Sequence, residues 1–398
     1  MLPLVQTSIP PRDILMPRLE KVLYSGYVAQ GEVVEEFERK FEEYIGGGHT
    51  LSLNSGTAAL HIALILAGVK EGDEVISTAL TAEPTNTSIK AVGAKIRYAD
   101  VDLETGNISA DAIEKAINSK TAAIIVVDYA GIPVDIKRIQ EITEKYNIPV
   151  IQDAAHALGS KYNGKKAGNH FPFTVYSFQA IKHLTTIDGG ALQILDKELY
   201  EKGKIIRWFG LDKKLTRMEN DITIQGYKYH MNNVNATVGL VQLENIEELV
   251  QKYITNGKYL DEKLKDIEGV ELIQYYPDTE PSYWLYTIKV ENREAFIKKM
   301  ADNGIMASEL HKRSDSHTYL NDFNLELPNL DEFYSKMVHL PCGWWVTKAD
   351  CDKMVEVIKG GAGCFLRMLF LMPPMTKGIP LSSSTIAWAS SPVLISIF

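Results

Sequence analysis

From residue 50 to about 195, short apolar runs alternate with segments whose apolar residues recur at helical spacing. TLSLN, EVIST, AKIRYAD, TAAIIVV and IPVIQD read as strands, since unbroken apolar runs of this length suit a sheet covered on both faces. Between them, SADAIEKAINS and PVDIKRIQEITEKY carry helical periodicity, with Ser109 and Asp135 placed to cap their first turns. Strand and helix in alternation predict an α/β layered domain.

The pattern changes after residue 230. Asn233 to Asp266 reads as helix with a polar interruption near Thr255, able to bridge two domains. VELIQYY and YWLYTIKVE then read as antiparallel strands, and REAFIKKMADNG as a helix that Gly304 closes. A large domain over 1–250 and a smaller α+β domain over 251–360 follow. A last helix is expected from Lys348 to Lys359. Residues 361–398 differ: they hold Arg367 and Lys377 but no acidic residue, so of the formal net charge of −9 the first 360 residues carry −11. The tail's apolar runs lack a helical stripe and fall short of the roughly 20 residues a bilayer requires. It is expected to lie outside the fold.

The acidic balance argues against a nucleic-acid binder, which needs a basic face. Three scattered cysteines imply no disulfide framework, and the N-terminus has no charged segment followed by an apolar run. A cytoplasmic enzyme without membrane attachment is the expectation. No G-x-G-x-x-G follows a strand, and GSKYNGKK puts Lys166 where a P-loop needs Ser or Thr, so it reads as a hairpin.

Three other segments suit one cofactor. NSGTAAL (54–60) ends a strand and opens an apolar helix, so the N–H groups of Gly56 and Thr57 would face an anion at a positive helix end. A simple cap by Asn54 or Ser55 explains the same residues. VIQDAAHALG (150–159) sets Asp153 at the end of a strand, where it would pair with a protonated ring nitrogen, and His156 near that ring. A capping aspartate and a structural histidine are the alternatives. VYSFQAIKHLTTIDGGAL (175–192) places Lys182 between a strand and a Gly-Gly turn, and desolvation there would lower its pKa for covalent chemistry. Ser177 would add a hydroxyl to a phosphate. A solvated surface lysine is the plainer alternative.

Taken together with SGYVAQG (25–31), GDEVIST and GYKYHMNNVNATVGLVQL (226–243), these segments resemble the DegT/StrS-type sugar aminotransferases over about Pro10 to Lys359. The resemblance implies a three-layer, mostly parallel sheet of the aspartate-aminotransferase type with pyridoxal 5'-phosphate as cofactor. It makes Lys182 the Schiff-base lysine and Asp153 the partner of the pyridine nitrogen. His156 would lie beside the ring, with Gly56, Thr57 and Ser177 on the phosphate. It also implies a homodimer with shared sites, GYKYHMNN reaching across so that Lys228 meets the neighbour's cofactor phosphate. Many members carry asparagine at the position of Lys228, arginine at that of His230, and an aromatic residue near Ala82; this chain departs at all three.

The function implied is transfer of an amino group, with glutamate as the family's usual donor, to a keto group of a nucleotide-linked deoxysugar. A dehydratase is one alternative, although such relatives carry histidine in place of the lysine; His183 directly follows Lys182. A non-catalytic regulator that keeps the pocket is the other. HKRSDSH (311–317) is either a solvated loop or a substrate-facing segment in which His311 and Arg313 meet the sugar diphosphate. His311 and His317 have no usual metal spacing, and no metal is expected.

Overall fold

The computed structural model describes residues 1–369, with side chains to Gly360. Its main sheet is built from β1 (His49–Leu53), β2 (Glu74–Ser77), β3 (Lys95–Tyr98), β4 (Thr121–Val127) and β5 (Val150–Asp153), joined after a small hairpin by two further strands. The hairpin is β6 (Lys161–Tyr162) and β7 (Lys165–Lys166), turned by Asn163 and Gly164 at positive φ. The two further strands are β8 (Phe173–Ser177) and β9 (Gly190–Ile194). The order is β1-β9-β8-β5-β4-β2-β3, and β9 alone runs against the rest. The sheet is therefore mostly parallel, as the alternating pattern predicts. The strands β2, β5 and β9 are buried at every residue, which is why their sequences show no polar face.

Ser109 and Asp135 cap the helices Ala110–Ala116 and Ile136–Tyr146 by accepting from the third helical N–H. The helix Gly56–Leu66 is buried nearly all round and packs under β8 and β9, so it carries no amphipathic stripe. A second sheet, β10 (Val270–Leu272), β12 (Tyr286–Val290) and β13 (Met337–Leu340), is antiparallel throughout. A short β11 (Thr279–Glu280) pairs with β6. The two sheets are not insulated from each other. Trp284, Leu285, Phe333 and Met337 belong to the same buried cluster as Leu51, Val75 and Ile125.

Three details differ from the sequence reading. The helical break falls at Glu244–Asn245, and the helix Ile246–Leu264 runs through Thr255, whose exposed hydroxyl accepts from Gln251 and leaves the backbone ladder intact. The strand read from Tyr283 begins at Tyr286, because Ser282 and Leu285 give their N–H groups to Gly131 and Ala130 instead. The last helix runs from Lys348 to Leu369 rather than ending at Lys359: the glycines beyond it cost about 1 kcal/mol each but do not block a helix, and no proline follows before Pro373. The remainder of the tail lies outside the described residues.

Candidate active site

Because all strands of the main sheet except β9 share one direction, their C-terminal ends form one edge, where the ligands of open α/β sheets bind. Leu53, Asp153 and Ser177 end their strands there, and Gly190 begins β9 opposite both Leu53 and Ser177. The sequence separations of the three motifs vanish along this edge.

Ser55 caps the helix Gly56–Leu66 by accepting from the Ala58 N–H at 3.1 Å. The Gly56 and Thr57 N–H groups precede the first intrahelical bond and point outward. Two glycines keep this corner open. A Cβ on Gly56 would stand 3.1 Å from the Ser177 Cβ, and one on Gly190 would stand 2.5 Å from the Gly56 nitrogen. A niche of backbone N–H groups, the Ser177 hydroxyl and the positive end of a helix suits a phosphate.

Asp153 is buried. Its Oδ2 accepts from the Thr85 hydroxyl at 2.8 Å and its Oδ1 from the Ala155 N–H at 3.1 Å. Burial raises its pKa against the lowering effect of these bonds and of the Lys182 charge. Lys182 sits on the loop that joins the paired ends Ser177 and Gly190. Burial lowers its amine from 10.5 to about 7, with Asp153 pulling the other way. A lysine so placed can be a neutral nucleophile at neutral pH.

His156 is buried, and its Nδ1 accepts from the Ala130 N–H at 3.3 Å, which leaves the proton on Nε2. Burial and the Lys182 charge hold its pKa well below 6.5. His183, by contrast, sets its Nε2 3.2 Å from the Ser282 carbonyl and its ring against Tyr253. Lys182 therefore shares its buried surroundings with Asp153, while His183 is held by the protein.

His311 joins the same group. Its ring lies 5.9 Å from that of His156 and within 6° of parallel, and its buried Nε2 has no hydrogen-bond partner. Arg313 does not present a free guanidinium: Nε and Nη2 bind both oxygens of Asp315 at 3.0 and 2.6 Å, and Nη1 binds Asp331. Lys228 lies against its own chain, where its carbonyl accepts from the Asn54 side chain and Leu53 bridges to His230. Ala82 ends its loop as the residue before the helix Glu83–Ala91 and bonds no helix N–H through its side chain.

Two residues escaped the sequence reading. Thr85, in the TAEPTN segment, holds Asp153. Trp284 donates its indole N–H to the Ile181 carbonyl at 2.9 Å and stacks on His156 with ring centroids 3.9 Å apart. Only the proximity of TAEPTN to the end of β2 could have pointed to Thr85, and nothing local pointed to Trp284.

The profile of the DegT/DnrJ/EryC1/StrS aminotransferases matches residues 12–359. The chain belongs to this family. It is similar to the sugar aminotransferase CalS13 of Micromonospora echinospora, with a TM-score of 0.87 and 37% identity over 91% of this chain and 100% of that one. It is also similar to Spr1654 of Streptococcus pneumoniae in its PLP form, with a TM-score of 0.84 and 28% identity over 91% and 98% of the two chains. The UDP-4-amino-4,6-dideoxy-N-acetyl-beta-L-altrosamine transaminase of Campylobacter jejuni is 32% identical over 334 residues, 81% of this chain and 88% of that one. The protein is a sugar aminotransferase of the aspartate-aminotransferase fold, and its cofactor is pyridoxal 5'-phosphate. The niche at Gly56 and Ser177, the buried Asp153 and the low-pKa Lys182 fit that group by their chemistry.

Proposed function

We propose that this sugar aminotransferase moves an amino group from glutamate to a keto group on a nucleotide-linked deoxysugar. The buried Lys182 amine within the field of Asp153 at the sheet edge carries the reading, and likeness to a UDP-4-amino-4,6-dideoxy-sugar transaminase supports it.

The cofactor, when bound, supplies the carbonyl to which amines add and an electron sink for the substrate's Cα–H bond. Gly56, Thr57 and Ser177 would hold its phosphate by N–H and O–H donors. Asp153, oriented by the Thr85 hydroxyl and the Ala155 N–H, would face the ring nitrogen and favour a proton there. Lys182 would hold the cofactor's carbonyl carbon through its amine. That amine, brought to about 7 by burial, would be matched to taking and returning a proton at the substrate carbon. His156 would present its Nε2–H beside the ring. His311, with an unpartnered Nε2, faces the sugar; Arg313 joins it only by giving up Asp315 or Asp331. We further propose a homodimer in which Lys228 serves the neighbouring site.

The test is spectroscopic. Purified protein should absorb as bound cofactor, lose that band on adding glutamate, and regain it on adding a nucleotide-linked 4-keto-deoxysugar. A band indifferent to glutamate would point to the regulator, and loss of a sugar hydroxyl without amination to the dehydratase.

A further inference from the structure

Trp284 reaches the site by a device separate from the motifs. The turn after β4 carries Ala130 and Gly131 at positive φ, and the 282–285 segment lays its backbone on it: Ser282 N–H donates to the Gly131 carbonyl at 2.9 Å and Leu285 N–H to that of Ala130 at 3.3 Å. Only glycine fits at 131, because a Cβ there would stand 2.8 Å from the Trp284 nitrogen. Tyr283, next door, holds a left-handed φ of 50°. Such a conformation persists in a non-glycine residue only when the surroundings over-determine it. Here they do. The Tyr283 hydroxyl donates to Asp261 at 2.7 Å, the same carboxylate accepts from Tyr275 and Tyr286, and Gly257 leaves room for the Tyr283 ring where a Cβ would stand 2.3 Å from it.

The outcome is an immobile indole. It is 1% exposed, fixed at its N–H by the carbonyl of the residue before Lys182, and in contact with His156 on its ring. The Lys182 ammonium lies 4.0 Å from its centroid. The other titratable groups around this amine are Asp153 from the end of β5, His156 from the following turn and His311 from the loop beyond the second sheet's helix. Burial leaves both imidazoles neutral at pH 7, and adjacent His183 is tied to Ser282. No carboxylate hydrogen-bonds the Lys182 amine among the described residues, so the π face is its direct contact.

We propose that the indole face of Trp284 is the seat of the Lys182 ammonium whenever that lysine is not bonded to the cofactor, which makes Trp284 a positioning residue of the amino transfer. The role in the reaction rests on the reading of Lys182 as the cofactor's lysine; the seat itself does not. A ring quadrupole attracts a desolvated cation best when the ring is tryptophan. During turnover the seat keeps the freed amine within reach instead of letting it swing away, and favours its charged form against the cost of burial.

Fluorinated tryptophans weaken the ring's negative face while nearly keeping its shape, so they test the seat without disturbing packing. Full-length chain cleared of cofactor would be grown on tryptophan, 5-fluorotryptophan or a more heavily fluorinated analogue, then trace-labelled with acetic anhydride across a pH series. Labelling at Lys182 is read by peptide mapping. The labelling midpoint should fall stepwise with fluorination, by about half to one pH unit in all. The same series in Trp284→Phe protein, where the remaining tryptophans are still fluorinated, should show no stepwise fall. A midpoint indifferent to fluorination, or one that moves equally in both backgrounds, overturns the seat. Borohydride reduction of the loaded enzyme tests the parent reading separately: no pyridoxyl group on Lys182 would overturn the role in the reaction whatever the titration gives.

Discussion

Lys182 should weaken the very fold that positions it. In water its amine titrates at 10.5; in the folded chain burial lowers this to about 7. Between those values the unfolded chain holds a proton that the folded chain has released. Stability therefore rises with pH across the window, and the full cost is present below about pH 7. About 3.5 pH units at about 1.4 kcal/mol each give on the order of 5 kcal/mol. Relaxation and water around a lysine that is not wholly covered reduce the realised cost to about 2–4 kcal/mol. Lys182→Met keeps the aliphatic length and removes the charge. In chain cleared of cofactor, the variant should be more stable than the natural sequence by about that amount near pH 6, with the gain shrinking toward zero near pH 10. Urea midpoints of both proteins across the pH series, at unchanged denaturant slope, give the difference directly. A difference that stays constant with pH would refute the reasoning, since a packing effect of methionine has no reason to titrate.

Thr85→Val removes the hydroxyl that donates to Asp153, a charge-assisted bond of about 1.5–3 kcal/mol. The Asp153 pKa should rise further, so the acid limb of the pH–rate profile should move upward and the rate near neutrality fall about 10–100-fold; an unmoved limb would count against the assignment of Asp153. Gly190→Ala pushes a Cβ toward the Gly56 nitrogen and should weaken binding of pyridoxal 5'-phosphate at least about tenfold by equilibrium dialysis, a loss of about 1.4 kcal/mol or more. Mixing Lys182→Ala chains with Lys228→Ala chains should restore part of the activity that each lacks. With exchange of subunits shown independently, failure to complement would contradict the shared site.

How far the sequence carries depends on whether a residue's neighbours are local. TAAIIVV and VIQD announce buried strands because all of VIQD and all but the first two residues of TAAIIVV are buried, and Ser109 and Asp135 announce helix starts because a cap acts within three residues. Lys182 is legible for a similar reason: its loop is bounded by a strand and a Gly-Gly turn. Trp284 is opaque because its place is set by backbone pairing with Gly131 and by tyrosines gathered on Asp261, neither of which leaves a mark near it. Thr85 is hidden because a hydroxyl at a helix start looks like a cap. MVHL, which forms β13, is masked as a strand in the sequence: its His339 is wholly buried between the hydroxyls of Tyr129 and Thr287, and this polar residue breaks an otherwise apolar run. The paired carboxylates on Arg313 lie in part in a separate helix, so its apparent freedom in the sequence was misleading.

The position of β9 also dictates an order of assembly. His49 finds its partner only in Ile194, so β1 and the helix start that follows it have no place in the sheet until the strand after the Lys182 loop has left the ribosome. The β8–β9 pair is local and can close at once, since its ends meet across a single loop. A nascent chain would therefore display the lysine first, receive the phosphate niche second, and gain the indole only when residue 284 arrives. No fragment that stops short of that point sets the indole against Lys182.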